Sequence, residues 1–190
     1  MAELMQLTVS TRGQEGEKRT PVLYCDIDGT IRWGKDELGR FVNTREDVRV
    51  FDGVRELLWG YKDAGWRIVG VSNQGGIALG HMAMSTCVDA MIETQKQTGF
   101  AFDRMMWCPH YPGAEDPEMG VCWCRKPQAG MVIEAALEMA EQHKEIYPPH
   151  LGLFTGDRLE DVQCAANASV PFLDAAVWRT GEHLRTHLGL

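Results

Sequence analysis

Apolar residues in this chain fall into short runs that switch between two periods. Val22-Leu23-Tyr24-Cys25 is a compact run bounded by a turn signal, as expected of a strand buried on both faces. A polar connection covers residues 31 to 52. "DGVRELLWGYKDAG" then spaces Val54, Leu57, Leu58 and Tyr61 at helical intervals and stops at Gly65. "WRIVGVS" predicts a second strand ending at Ser72. The Gly-rich turn "NQGGIALG" leads to a helix with Cys87, Val88, Met91, Ile92 and Gln95 along one stripe. "FDRMMW" fits a third strand, and "CPHYPGAEDPEMGVCWCRKP" reads as loop. "GMVIEAALEMAEQH" predicts a helix closed by a Pro-Pro break. "LGLFTGD" predicts a strand, "RLEDVQCAANA" a helix, and "VPFLDAAVW" a last strand or extended segment.

Strands alternating with helices imply a doubly wound parallel sheet covered on both faces, an α/β fold of the Rossmann-like kind. In such folds ligands bind beyond the carboxyl ends of the strands. The candidate polar groups lie there: Asp26 and Asp28 after one strand, Ser72 and Asn73 after the next, Asp157 after a later one. Residues 1–20, with "STRGQEGEKRT", read as a polar arm, and residues 21–190 as one domain. Neither connection around the second strand is long enough for a cap domain, so short loops must shape any pocket.

Composition narrows the partners. Of 190 residues, 44% are hydrophobic and 24% charged, as in an ordinary globular protein. Nineteen basic against twenty-seven acidic residues give a formal charge of −8, which argues against a nucleic-acid surface. No apolar stretch approaches the ~20 residues that span a bilayer, and no signal-peptide core is evident. A cytoplasmic monomer acting on a small molecule, without membrane attachment, is the expectation. Six cysteines in that compartment point to thiols or metal ligands before disulfides.

Two constellations carry chemistry. In "DIDGT", strand alternation sends the Asp26 and Asp28 side chains the same way past the strand end. Two ionised carboxylates so close repel unless a cation or shared proton compensates. "FTGDRLEDV" adds Asp157 and Asp161, and hard carboxylate oxygens at strand ends suit Mg²⁺. The alternative for any single Asp is a local turn. The second constellation is Cys108-x-His110 and Cys122-x-Cys124, two pincers separated by eleven residues. Three thiolates and an imidazole complete a tetrahedral Zn²⁺ site with no open position, which makes the metal structural. The alternatives are coincidental loop residues or a disulfide, which between Cys122 and Cys124 would be strained. Arg125-Lys126 follows directly and suits a phosphate, Arg as a fork and Lys as a point charge. Cys25, Cys87 and Cys164 lie in apolar runs as small buried hydrophobes. His183 and His187 fit a solvated C-terminal helix, and Gly75, Gly76 and Gly80 alone are weak evidence for a phosphate cradle. Trp33 either stacks on a substrate ring or plugs a loop.

"DIDGT", "VSNQGG", "CRKP" and "GDRLED", in that order, resemble the four signature motifs of the haloacid-dehalogenase-like phosphatases. The "CPH…CWCRKP" loop resembles the zinc-containing group that includes heptose-bisphosphate and histidinol-phosphate phosphatases. The likeness spans about residues 21 to 178. It implies a capless fold of this type with a zinc loop at 108–124, and Mg²⁺-dependent hydrolysis of a phosphomonoester through an aspartyl-phosphate. It implies Asp26 as nucleophile, Asp28 as general acid/base, and Ser72 and Lys126 as catalytic phosphoryl-binding groups. It further implies Asn73, Arg125 and Arg158 as substrate-binding, and Asp26, Asp28 and Asp157 as Mg²⁺ ligands. Ile27 stands where the heptose and histidinol enzymes usually carry arginine, and 31–52 lacks their usual pattern, so the substrate is less defined than the chemistry. A small sugar phosphate or bisphosphate is the expectation. Histidinol phosphate, a nucleotide or polynucleotide 3′-phosphate, and a non-enzymatic zinc-stabilised phosphate-binding or receiver-like module are the alternatives.

Overall fold

A computed structural model describes residues 17–187, with side chains through Leu184. Its centre is a five-stranded, wholly parallel sheet in the order β3-β2-β1-β4-β5. The strands are β1 (Val22–Asp26), β2 (Arg67–Asn73), β3 (Arg104–Cys108), β4 (Leu153–Gly156) and β5 (Phe172–Asp174). β1 is buried along its whole length because it is central and covered on both faces. Alternation divides its side chains. Val22 and Tyr24 join a core with Val69, Val71 and Phe154, while Leu23 and Cys25 join one with Ile68 and Leu58.

The first core is closed by helices α4 (Gly130–His143), through Met131, Ala135 and Met139, and α5 (Leu159–Asn167), through Cys164 and Ala165. The second is closed by α2 (Val54–Asp63), α3 (Met84–Gln97) and α6 (Ala175–Arg179). Such a doubly wound arrangement is the α/β class read from the sequence.

Several local expectations need correction. On α3 the buried stripe is Cys87, Ala90, Met91 and Thr94; Ile92 is exposed, because small Ala90 and a hydrogen-bonded threonine pack where the apolar count favoured isoleucine. The 31–52 connection carries helix α1 (Lys35–Leu38), a 3₁₀ turn at Arg45–Asp47 and an antiparallel bridge from Arg32 to Val50. The final segment resolves into β5 and then α6, whose N-cap Asp174 accepts from the Ala176 and Val177 N–H groups at 2.8 and 3.3 Å. His183, on α7 (Glu182–His187), is buried and stacks on Tyr61 and Trp178 rather than facing water; the His187 side chain lies outside the described residues. The expected arm falls mostly at 1–16, also outside. Its last residues run beside Ile146, which exchanges backbone hydrogen bonds with Lys18 and Thr20 at 3.0 and 2.9 Å. Among the described residues no helix is long and apolar enough to cross a membrane.

Candidate active site

The carboxyl ends of β1, β2 and β4 converge on one cavity of about 780 Å³. β1 delivers Asp26 at its last position, and the chain then turns sharply. Ile31 and Arg32 N–H groups both donate to the Ile27 carbonyl, at 3.1 and 3.0 Å. Gly29 takes φ +99°, where a Cβ would be strained and would also collide with the Asp157 carboxylate. Because the strand ends at Asp26, alternation no longer governs Asp28, and the two carboxylates take different partners.

Asp26 is buried, and one of its oxygens accepts from Lys126 Nζ. Its other oxygen, Oδ2, has no hydrogen-bond partner among the described residues. Burial raises the Asp26 carboxyl well above the usual carboxylate range, with Lys126 opposing and Asp161 and Asp28 adding to the rise. Lys126 Nζ also lies 2.7 Å from Asp161 Oδ1 and donates to the Val71 carbonyl at 3.0 Å. Burial works against its charge, but the two aspartates outweigh it and push its pKa up. Asp28 has the opposite fate. Burial would raise it, yet the Arg32 guanidinium at 2.9 Å outweighs that, helped by Ser72 Oγ at 3.1 Å and Gln74 Nε2 at 2.8 Å, and its pKa falls.

Asp26, Asp157 and Asp161 bring ligand oxygens within 4.8 Å of one another. This trio, with the unpartnered Asp26 oxygen, is a hard-oxygen set of the kind that accommodates Mg²⁺. The Asp28 carboxylate, expected among the ligands, is committed to Arg32, Ser72 and Gln74 and is not part of the trio; Asp161 is.

Ser72 and Asn73 end β2. Asn73 clamps the Lys126 backbone reciprocally, donating from Nδ2 to its carbonyl at 3.0 Å and accepting its N–H at 2.9 Å. Its amide therefore positions the lysine. Arg125 Nη1 donates to the His110 carbonyl at 3.0 Å and its guanidinium stacks over Tyr111. Arg158, partly exposed, lies 3.7 Å from Asp157. Both arginines line the cavity, as do Lys35, Phe41 and His81. Ile27 is fully buried in the core and contributes nothing to that lining.

The four zinc-candidate residues meet at the end of β3. Cys108 Sγ lies 3.4 Å from His110 Nδ1, 3.5 Å from Cys122 Sγ and 3.1 Å from Cys124 Sγ, and Cys124 is 3.3 Å from His110. All four ligand atoms fall within 4.8 Å, and all six cysteines are free thiols. One tetrahedral ion would satisfy this donor set. Gly130, at the start of α4, lets the loop close down, since a Cβ there would collide with the Trp123 backbone. Cys122 Sγ also accepts the Arg125 N–H at 3.3 Å, which ties the cluster to the basic pair.

Sequence reasoning overlooked Arg32 and Gln74 as site residues. Gln74 was detectable, being next to Asn73 in "VSNQGG". Arg32 was not, because two of its three side-chain partners, Ala90 and Thr94, lie on α3.

Comparison with known proteins agrees with this construction. No family model matches the chain. A D-glycero-D-manno-heptose-1,7-bisphosphate 7-phosphatase of Chlorobaculum tepidum is 33% identical over 166 residues, covering 85% of this chain and 80% of the relative. The D-glycero-beta-D-manno enzyme of Photorhabdus laumondii is 31% identical over 170 residues, covering 87% and 84%. Among solved structures, a HAD-like phosphatase of Mesorhizobium loti superposes with a TM-score of 0.71 at 24% identity, covering 84% of this chain and 73% of that one. The D,D-heptose 1,7-bisphosphate phosphatase of B. bronchiseptica, complexed with magnesium and phosphate, gives 0.65 at 24% identity, covering 80% and 79%. Sheet, capless crevice and relatives together define a phosphatase of the haloacid-dehalogenase-like class. Within it, the chain belongs to the family of the heptose-1,7-bisphosphate 7-phosphatases.

Proposed function

We propose that this phosphatase cleaves a phosphomonoester of a small sugar phosphate or bisphosphate by two in-line displacements at phosphorus. The observation that carries the reading is the division of labour between Asp26 and Asp28. Asp26 belongs to the acidic trio and keeps one buried oxygen without a hydrogen-bond partner among the described residues, while Asp28 is held by other groups. Asp26 attacks phosphorus, and the bond to the leaving oxygen breaks as Asp28, whose lowered pKa makes its protonated form a minor but strong acid, gives that oxygen a proton. Water then attacks the aspartyl-phosphate, its proton passes to Asp28, and inorganic phosphate leaves Asp26 regenerated. Splitting the reaction this way replaces one difficult step by two easier ones, and a positioned acid/base contributes ~10²–10⁴-fold. Asp26 and Asp157, with Asp161 beside them, would hold Mg²⁺, which when bound supplies charge neutralisation for the phosphoryl oxygens and the nucleophile. Lys126 and the Ser72 hydroxyl orient the transferring group from the protein side. Cys108, His110, Cys122 and Cys124 would hold Zn²⁺ in a structural role, and Cys122 ties that cluster to the Arg125 backbone.

The substrate reading rests on the relatives and on the cavity. Lys35, Arg125 and Arg158 put cationic groups around a pocket in a chain of net charge −8, which suits a second anionic group on a compact substrate. Ile27 faces the core, so the departure at that position leaves the pocket wall unaffected. The same reading places the protein in the cytoplasm as a monomer of one domain from residue 21, a state that light scattering on the purified chain would test. The deciding experiment is Mg²⁺-dependent phosphate release from sugar bisphosphates, sugar monophosphates, histidinol phosphate, nucleotides and 3′-phosphorylated oligonucleotides. A sugar bisphosphate is expected to lead. Preference for the oligonucleotide would overturn the substrate class. Near-normal turnover by Asp26→Asn would overturn the covalent mechanism.

A further inference from the structure

The site contains a buried cation that the chemistry above does not use. Arg32 is 1% exposed although its loop is largely polar. A buried guanidinium is costly unless its charge and hydrogen bonds are satisfied. Here they are. Nε donates to Asp28 Oδ1 at 2.9 Å, and Nη1 donates to the Ala90 carbonyl at 3.1 Å and to Thr94 Oγ1 at 2.8 Å. Thr94 in turn donates to the same Ala90 carbonyl at 2.8 Å, so the arginine is seated on one turn of α3. Its backbone is equally tied, donating to the Ile27 carbonyl at 3.0 Å and accepting the Gly29 N–H at 2.8 Å. The other Asp28 oxygen receives Ser72 and Gln74. With both oxygens engaged from different elements, the carboxylate has one orientation.

Packing alone does not account for this residue. An apolar side chain of similar size would fill the space with no charge to bury. What it would not do is grip Asp28. Released, that carboxylate could rotate toward Asp26, Asp157 and Asp161, where a cation would compete for it. We propose that Arg32, braced by Thr94 on α3, is a positioning residue that aims Asp28 at the leaving-group oxygen. The inference rests on the phosphatase reading above and adds to it a link between α3 and proton delivery.

Positioning of an acid is read by leaving-group dependence. An alkyl phosphate needs its departing oxygen protonated; an aryl phosphate with an acidic phenol needs this far less. Single-turnover phosphoryl transfer should be timed for one ester of each kind, with Mg²⁺, in wild type and in Arg32→Met, Arg32→Lys and Thr94→Val. Arg32→Met is expected to slow the alkyl reaction by about 10²-fold and the aryl reaction by less than about threefold. Arg32→Lys, a point charge without the fork, should recover part of the alkyl rate. Thr94→Val should lose about tenfold on the alkyl ester alone, a fraction of the full acid contribution. Should Arg32→Met fail to fold, the other two variants make the same comparison. Equal losses on both esters, or none, in the folded variants would overturn the inference while leaving the phosphatase reading intact. A wild type inert toward every monoester would instead overturn that reading, and this one with it.

Discussion

Replacing Lys126 by methionine should reveal it as the counterion of the acidic trio. Its Nζ sits between Asp26 and Asp161, 2.7 Å from the latter, with Asp157 close by. At that distance and an effective dielectric near 20, one unit-charge pair is worth about 6 kcal/mol, before the cost of desolvating both partners is subtracted. Removing one member of a buried pair costs about 3–5 kcal/mol in practice, because the carboxylates are left uncompensated. For a domain of this size, each kcal/mol moves the melting temperature by about 2–4 °C, so Lys126→Met should melt about 6–20 °C below wild type in EDTA at pH 8. The pH dependence has a definite sign. Burial already raises Asp26, and losing the lysine that opposes this raises it further. A folded state that binds more protons than the unfolded chain gains stability as pH falls toward the ordinary carboxylate range. The deficit should therefore shrink between pH 8 and pH 5. It should also shrink on adding Mg²⁺, because a bound cation can replace part of the missing charge. Thermal unfolding under these conditions provides the assay. A deficit below about 1 kcal/mol at pH 8 in EDTA, or one independent of pH, would refute the electrostatic account.

Cys122→Ser should lose bound zinc by elemental analysis and about 4 kcal/mol or more of stability, the range associated with loss of a metal site. It should also lower kcat/KM, because Cys122 accepts the Arg125 N–H; active wild-type protein purified without zinc would refute the structural role. Glu145 should account for part of the acid limb of stability. Burial works against its charge, but Lys18 at 2.7 Å, Arg67 at 3.1 Å and Tyr147 at 3.1 Å outweigh it and bring its pKa down to about 2. A depressed carboxyl stabilises above its unfolded value and loses that contribution as pH falls from about 4.5 toward about 2. With Lys18 largely in water, the contribution is about 1–2 kcal/mol. Urea unfolding should show Glu145→Gln weaker than wild type at pH 7, with the gap narrowing below about pH 4.5 and nearly closed only near pH 2; a gap unchanged across that range would contradict the assignment.

The strands, the helices around them and the crevice residues could be read from the chain because each depends on local periodicity. "VLYCD" is buried throughout, as its unbroken apolar run requires, and "GMVIEAALEMAEQH" is helical from end to end. What periodicity could not give was the direction of side chains after a strand stops. Asp28 departs from alternation because the backbone has already turned at Ile27. Asp161 enters the acidic trio from the first turn of α5, where its side chain also accepts the Arg158 N–H at 3.0 Å. Besides nearby Asp28, Arg32 finds two partners at Ala90 and Thr94, about sixty residues away, on a face of α3 that the apolar count placed one position off. Long-range polar partners have no signature in local pattern.

The central position of β1 has a consequence for how the protein is made. One edge is filled by β2 from the next segment, but the other waits for β4, about 130 residues later. At a synthesis rate of about 5–20 residues per second, that edge stays open for about 6–26 s on the ribosome. The open edge carries Val22, Leu23, Tyr24 and Cys25, apolar and uncharged, the kind of surface on which strands of neighbouring chains pair. Asp26 is thus synthesised well before both edges of its strand are enclosed. Recovery of native enzyme should accordingly respond more to slowed translation or chaperone supply during that interval than to the stability of the finished fold.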